Sequence, residues 1–287
     1  MRPTVFSFLF VTLALGCVSF GLAGCSSDDP SGGTEEPAPA PTVNNSPQPA
    51  PSTPPGFVTP TPKPVDNPGP APAGCGTVTK DKNGFFTRTT AKSTYVGFVP
   101  KSYTGQPTTL VVGLHGCGDT ATNFASWGVN PGKTIATQKH IGISIGGRDD
   151  QCWDTEKDAD KVLAAIADIS TCFYVHQQKV VLAGYSSGGM LAYRLGLTQS
   201  AKFAGIIIEN SALGGVAPSG AAWKLNVAHI AHKGDQDFAI NTVRSDWAKL
   251  EAAGIPLAKS EVEGTHDGTS DDWSDFLIPK ITAWKAP

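Results

Sequence analysis

The chain has 287 residues, of which 40% are hydrophobic and only 16% are charged, with 32 glycines and 23 prolines. This composition indicates one globular domain joined to a non-globular segment. The formal net charge of −3 provides no basic surface for a polyanion, which argues against nucleic acid as a partner.

The first 24 residues have the pattern of a lipoprotein signal peptide. Met1-Arg2 precede a long apolar run, and the run ends in Leu22-Ala23-Gly24-Cys25. This tetrad resembles a bacterial lipobox, in which the cysteine becomes the acylated N-terminus. We therefore expect Cys25 to anchor an exported protein to a membrane at the cell envelope or outer surface, or to be released from there. An ordinary secretory signal cut nearby is the alternative.

A proline-rich stretch follows the signal. Of the 23 prolines, 15 fall between positions 30 and 72, among Ser, Thr and Ala and with few apolar residues. Such a segment has little to bury, and it predicts a disordered, extended linker over residues 25–73. Residues 74–287 are long enough for one domain with a sizeable core.

Short apolar runs then alternate with amphipathic helical patterns. This alternation predicts an α/β fold with a mostly parallel sheet and helices on both faces, in which reacting groups lie at the carboxyl ends of the strands. The predicted strands are 93–100, 108–116, 140–147, 179–185, 203–211 and 225–234. The predicted helices are 155–172, a helix that follows Ser186, and 241–253.

The cysteine count indicates disulfide bonds. Export places the mature chain in an oxidising compartment, where its four remaining cysteines should pair. These are Cys75, Cys117, Cys152 and Cys172. Four cysteines allow three pairings, among which spacing alone does not choose. No CxxC or Cys/His cluster occurs, so no metal site is expected.

The stretch Gly184-Tyr185-Ser186-Ser187-Gly188 matches GxSxG. A strand is predicted before it and a helix after it, which is the context that a nucleophilic serine on a strand-to-helix turn requires. Ser186 is therefore the candidate nucleophile. Ser187 lies one residue past the apex of the turn, where its backbone N–H, and not its hydroxyl, is the group that can contribute to catalysis.

A serine hydroxyl needs a base, and the base needs an orienting carboxylate. On such sheets the chain order is serine, then acid, then histidine. His229 and His232 lie in a predicted buried strand, whereas His266 lies in a polar loop near the C-terminus, so His266 is the candidate base. Asp235 and Asp237 both follow the strand 225–234, and we favour Asp237 because an apolar stretch follows it and can anchor the loop.

Acyl transfer also needs two donors for the oxyanion. The N–H of Ser187 is one candidate. The loop "LHGCGD" at 114–119 follows a buried strand, and the N–H of Cys117 is the second candidate.

Several blocks, taken together, resemble secreted feruloyl esterases and polyhydroxybutyrate depolymerases of the α/β-hydrolase superfamily. The resemblance covers residues 74–287. It rests on "LHGCGD", "CWDTEKDADKVLAAIADI", "KVVLAGYSSGGMLAYRL", "HKGDQDFAI" and "GTHDG".

Carried over by position, the resemblance implies Ser186 as nucleophile, Asp237 as acid and His266 as base, with the oxyanion bound by the N–H groups of Cys117 and Ser187. It implies no cofactor, and we expect a monomer that acts on ester substrates, which can be polymeric plant-wall esters or polyesters.

The same resemblance implies two disulfides, Cys117–Cys152 and Cys75–Cys172. Three aromatic side chains, Trp153, Trp273 and Tyr185, are candidates for a substrate rim, although each tryptophan fits buried packing equally well. A serine peptidase of the same fold and a surface-displayed, non-catalytic binding module are the rival functions.

Overall fold

The computed structural model describes residues 66–147 and 151–287. Within these residues, eight strands form one sheet in the order β1-β2-β4-β3-β5-β6-β7-β8. From β4 to β8 every neighbouring pair is parallel, while β1 pairs antiparallel with β2 and β2 with β4. The strands are β1 Phe85–Thr89, β2 Thr94–Phe98, β3 Thr108–Leu114, β4 Ile141–Ile145, β5 Val175–Tyr185, β6 Gly205–Glu209, β7 Asn226–His232 and β8 Leu257–Val262.

The six strands predicted from apolar runs all form, and their burial explains why they could be predicted. All five residues of β4 and of β6 are buried, as expected for strands covered on both faces. The two strands that the apolar runs did not indicate lie at the sheet edges. β1 reads FFTRT and β8 reads LAKSEV, and both are partly exposed, so neither forms a continuous apolar run.

Helices cover both faces of the sheet, as predicted. The larger apolar cluster contains Leu191 and Trp247 from helices on one face, and a second cluster packs Trp273 and Leu277 against the other. The α-helices are α1 Ala121–Phe124, α2 Ala159–Cys172, α3 Ser187–Thr198, α4 Ile240–Ala252 and α5 Ile278–Lys280, with π-helical segments at Ala125–Val129 and Asp272–Leu277.

Helix α2 begins four residues later than its predicted start at 155. The carboxylate of Asp158 accepts the N–H of Asp154 (2.9 Å), and the Asp158 N–H donates to the Asp154 carbonyl (2.9 Å). These bonds close a separate turn before the helix. The prediction of a helix over residues 155–158 was therefore wrong.

The last part of the predicted linker packs on the domain. The Asn67 N–H donates to Gln178 Oε1 (2.8 Å), and the Gln177 N–H donates to the Pro68 carbonyl (3.1 Å). The hydroxyl of Tyr174 also donates to the Gly69 carbonyl (2.9 Å). Residues 66–73 are thus held by the domain, and disorder there is not what the structure shows. Their proline content predicts an extended backbone, but not whether that backbone finds partners.

Both disulfides implied by the resemblance are present. Cys75–Cys172 ties the start of the domain to the end of α2, and Cys117–Cys152 joins the loop after β3 to the segment before α2. The signal peptide and Cys25 lie outside the described residues. Within those residues, no helix is both long and apolar enough to cross a bilayer.

Candidate active site

Ser186 occupies a strained turn between β5 and α3. Its φ of 54° and ψ of −123° lie outside the ordinary regions for a residue with a side chain. The Ser186 N–H donates to the Glu209 carbonyl (3.2 Å), and its own carbonyl accepts the hydroxyl of Ser211 (2.7 Å). The end of β6 and the Ser211 hydroxyl that follows it therefore hold the turn in this conformation, which presents the Ser186 hydroxyl at the carboxyl edge of the sheet.

The glycines around Ser186 are required by close packing of the backbone. A Cβ on Gly184 would lie 2.5 Å from Gly189 Cα, and a Cβ on Gly188 would lie 2.0 Å from the Leu114 carbonyl oxygen. Neither distance is sterically possible. The GxSxG spacing thus brings α3 against the ends of β3 and β5.

The imidazole of His266 joins the serine to a carboxylate. Its Nε2 lies 2.9 Å from Ser186 Oγ, and its Nδ1 lies 2.9 Å from Asp235 Oδ2. The side chain of Asp235 is 1% exposed, and its second oxygen accepts the N–H groups of Asp237 (2.8 Å) and Phe238 (2.9 Å). The structure therefore forms a continuous Ser186–His266–Asp235 hydrogen-bonded chain.

The choice of Asp237 as the orienting acid was wrong. Its side chain is 69% exposed, and its Oδ2 lies 3.6 Å from Nε2 of His266 instead of Nδ1. The turn after β7 explains the difference. Because the carboxylate of Asp235 caps the N–H of Asp237, only Asp235 points inward beneath the imidazole.

The loop after β3 passes directly over the serine. A Cβ on Gly116 would lie 2.6 Å from the ring of Tyr185 and 3.2 Å from Ser186 Cβ, so Gly116 packs directly against the turn that carries the serine. Cys117 is the next residue along this loop. Ser187 is the first residue of α3, where a backbone N–H has no acceptor within its own helix. Both predicted oxyanion donors thus belong to segments that contact Ser186.

A buried histidine and a disulfide brace this loop. His115 Nδ1 donates to the Gly116 carbonyl (2.8 Å), and its Nε2 accepts the N–H of Gly147 (3.2 Å), which defines the tautomer. Trp153 Nε1 donates to the His115 carbonyl (2.8 Å), while Cys117 is bonded to Cys152. The loop is therefore fixed from three directions.

Both tryptophans proposed for the substrate rim are buried instead. Trp153 is 5% exposed and braces the oxyanion loop, and Trp273 is fully buried and donates through Nε1 to Glu209 Oε2. Neither side chain can stack on a substrate in this position. The indole N–H explains both placements, because a buried tryptophan needs an acceptor and each one finds it under the site.

Tyr185 is half-buried and supports His266 directly. Its ring stacks on the imidazole with 5.4 Å between centroids, and its hydroxyl donates to the His266 carbonyl. Burial, followed by the negative charge of Glu209, raises the pKa of Tyr185 to about 12, so the phenol keeps the proton that it donates. Tyr185 thus positions His266, and its place at the substrate rim stays a prediction.

The sequence interpretation missed a buried polar group that holds the loop carrying His266. Glu209, at the carboxyl end of β6, accepts the N–H of Thr269 (3.0 Å) as well as Trp273 Nε1. Burial, together with a hydrogen bond to Asp272, raises the pKa of Glu209 well above its ordinary value. The run "IIIENS", in which a carboxylate ends a buried strand, is a sequence signal for a buried carboxylate, although it does not identify the partners.

His232 anchors the same loop at two points. Its Nδ1 lies 2.7 Å from the Thr265 carbonyl, and its Nε2 lies 3.0 Å from Asp272 Oδ2. Asn210 accepts the N–H of His232 through its side chain (3.0 Å). Loop residues on both sides of His266 are therefore fixed to β6 and β7.

His229 lies away from the site, as expected for a core histidine. It is fully buried, and its Nδ1 accepts from Trp247 Nε1 (2.8 Å) and contacts the hydroxyl of Tyr193 (2.9 Å). Burial lowers the pKa of His229 to about 3. This side chain is neutral at physiological pH and takes no part in the serine chain.

Among residues 66–147 and 151–287, two clusters each bring three ligand-type atoms within 4.8 Å of one another. One consists of Glu209, His232 and Asp272, and the other of Asp235, Asp237 and His266. In both groups each imidazole nitrogen already faces a protein partner. The imidazole nitrogens of both groups are thus used in hydrogen bonds within the protein.

No protein-family model and no curated protein matches the chain. Solved structures do match. A thermostable esterase has a TM-score of 0.52 at 17% identity, over 71% of this chain and 64% of that protein. An S-formylglutathione hydrolase from Staphylococcus aureus has a TM-score of 0.54 at 15% identity, over 69% and 96%.

A ferulic acid esterase from Anaeromyces mucronatus has a TM-score of 0.56 at 12% identity, over 70% of this chain and 93% of that one. The chain has the α/β-hydrolase fold. At these identities the likeness establishes the fold, and the chemistry must be argued from the site.

Proposed function

We propose that this protein is a serine ester hydrolase that acts outside the cytoplasm through an acyl-enzyme. The observation that carries the proposal is the hydrogen-bonded chain in which His266 Nε2 lies 2.9 Å from Ser186 Oγ and His266 Nδ1 lies 2.9 Å from Asp235. Nucleophile, base and orienting acid are all within hydrogen-bond reach, and they stand at the edge of the sheet where such sites lie.

The geometry assigns each group a step. Ser186 Oγ attacks the ester carbonyl carbon while His266 Nε2 takes the hydroxyl proton, and Asp235 stabilises the imidazolium. The carbonyl oxygen becomes an oxyanion that the N–H groups of Cys117 and Ser187 bind. His266 then gives its proton to the departing alcohol, which leaves the acyl group on Ser186. A water molecule then attacks the acyl carbon while His266 Nε2 takes its proton. The bond to Ser186 Oγ breaks as His266 returns that proton to Oγ, which releases the acid and restores the serine.

The proposed substrates are carboxylic esters, either feruloyl esters of plant walls or polyesters of hydroxy acids. The motif resemblance supports this class, and the matched ferulic acid esterase shares the fold. A lipid on Cys25 and the proline-rich linker would present the domain to polymers outside the cell. Mass spectrometry of membrane-extracted protein should find a diacylglyceryl adduct on Cys25, and an unmodified cysteine would contradict the anchor.

The test is a parallel assay of the full chain with p-nitrophenyl acetate, methyl ferulate and a hydroxybutyrate oligomer. Ser186→Ala serves as the blank. Hydrolysis that disappears in the variant supports the esterase, and the preferred ester identifies the substrate class.

A fluorophosphonate probe separates the rival functions. A folded protein that the probe labels at Ser186, but that hydrolyses none of the esters, would favour the peptidase. A folded protein that the probe does not label would favour the binding module.

A further inference from the structure

The exposed carboxylate of Asp237 stands on the reacting side of the imidazole. Its Oδ2 lies 3.6 Å from His266 Nε2, the same nitrogen that faces Ser186 Oγ at 2.9 Å. The opposite nitrogen, Nδ1, is already taken by Asp235. Asp237 is thus adjacent to the atom that moves the proton, but it is not part of the Ser186–His266–Asp235 chain.

The position of Nε2 determines which half of an ester substrate lies close to the Asp237 carboxylate. During acylation Nε2 gives its proton to the leaving alcohol oxygen, which must approach within about 3 Å of that nitrogen. The acyl half instead stays on Ser186, with its oxygen turned to the N–H groups of Cys117 and Ser187. The alcohol half is therefore the part of the substrate that comes close to Asp237.

The surroundings leave this carboxylate available to a substrate. The side chain is 69% exposed, and His266 is its only ionic partner in residues 66–147 and 151–287. Its backbone, by contrast, is held, because the Asp237 N–H donates to Asp235 Oδ1 (2.8 Å). The carboxylate is thus anchored through its backbone beside Nε2, while its side chain stays open to solvent.

We propose that Asp237 determines specificity for the alcohol half of the substrate, and this inference rests on the ester hydrolase function proposed above. It selects alcohols that carry a positive charge or hydroxyl donors, and it disfavours alcohols that carry a carboxylate. A sugar hydroxyl can donate to this oxygen, whereas a short hydroxy acid leaving as the terminal unit of a polyester brings a second negative charge against it.

The experiment compares matched esters that differ only in charge. Acetylcholine and 3,3-dimethylbutyl (neohexyl) acetate have nearly the same shape, but only acetylcholine has a cationic alcohol half. The ethyl ester of γ-butyrobetaine and its tert-butyl carbon isostere place the same charge difference on the acyl half. For each pair, the ratio of kcat/KM for the charged ester to that for the neutral ester is measured with the full chain.

The wild-type ratio for the alcohol pair should fall about fourfold in Asp237→Asn at low salt, the size expected for unit charges roughly 5 Å apart in water. Asp237→Glu should retain most of the preference, and salt near 1 M should weaken it. Comparing ratios between variants cancels the intrinsic reactivity of each ester. The ratio for the acyl pair should stay constant.

Asp267→Asn is the matched control. Asp267 is an exposed neighbour of His266 whose carboxylate accepts from Thr265 Oγ1 (2.7 Å), so this variant removes a nearby charge that does not face Nε2. An equal fall of the alcohol ratio in Asp267→Asn would overturn the assignment to Asp237. An unchanged alcohol ratio in Asp237→Asn, with turnover that still requires Ser186, would overturn the specificity role while leaving the esterase intact.

Failure of the proposed function gives a different result. In that case the wild type would show no Ser186-dependent hydrolysis of any ester in the set, and both proposals would fall together. A ratio that shifts equally for the alcohol and acyl pairs would show that the carboxylate acts on the whole substrate, which contradicts the placement of the alcohol half at Nε2.

Discussion

Replacing Asp235 by Asn tests the site at its most specific point. In the wild type, the carboxylate accepts the Nδ1–H of His266 and, through its other oxygen, the N–H groups of Asp237 and Phe238. In Asp235→Asn, the amide oxygen can still accept the two backbone donors. Its NH₂ group then faces His266 and makes Nδ1 an acceptor, which places the imidazole proton on Nε2.

A proton on Nε2 prevents His266 from accepting the hydroxyl proton of Ser186. The expected loss in kcat is about ten-thousandfold, or about 5.5 kcal/mol of transition-state stabilisation. The Asp235 side chain is 1% exposed, so solvent does not screen this contact. Asp237→Asn removes a 69% exposed carboxylate and should cost less than about tenfold with a neutral ester.

The assay is kcat for p-nitrophenyl acetate with both variants, accompanied by thermal unfolding to show that each is folded. Asp235→Asn that keeps more than about one tenth of wild-type kcat would refute the reasoning. So would Asp237→Asn being the more damaging of the two, because the orienting acid would then be the exposed residue.

Three further outcomes are expected. Trp153→Phe keeps an aromatic ring but removes the hydrogen bond from Nε1 to the His115 carbonyl, so kcat should fall about tenfold with little change in KM. A changed KM with unchanged kcat would instead support a place for Trp153 at the substrate rim. Cys75→Ala with Cys172→Ala opens a loop of 97 residues and should lower the free energy of unfolding by about 4 to 5 kcal/mol, measured in urea, while kcat is retained. Burial lowers the pKa of His229 from 6.5 to about 3. Below pH 6.5 the imidazole takes up a proton in the unfolded chain but not in the folded one, so the free energy of unfolding falls, by about 2 kcal/mol at pH 5. In denaturant titrations, His229→Gln should therefore lose correspondingly less stability than the wild type between about pH 7.5 and pH 5.

Local patterns were sufficient to predict much of the fold and two members of the Ser186–His266–Asp235 chain. Buried strands are recognisable because both faces are covered and the apolar run is continuous, as in β4 and β6. Ser186 lies in a turn whose glycines are required by contacts within a few residues along the chain or with the adjacent strand. His266 could be chosen because the other downstream histidines fall in a predicted strand.

Only the tertiary structure could identify the acid that orients His266. Asp235 and Asp237 lie two residues apart on one loop, and both satisfy the chain-order rule. What distinguishes them is that the Asp235 carboxylate caps the backbone of the turn, which directs it inward to Nδ1 and leaves Asp237 outside at Nε2. A turn conformation of this kind depends on hydrogen bonds that composition does not encode.

The sequence by itself determined the strand-helix alternation, the serine on its turn and the histidine after it, because each is a local or chain-order property. Only the tertiary structure decided what the buried polar side chains do. Trp153 and Trp273 could not be distinguished from rim residues by their type, since an indole N–H needs an acceptor in either setting. Glu209 and His232 hold the loop of His266 through contacts that span many residues of sequence, and no local pattern records such a contact.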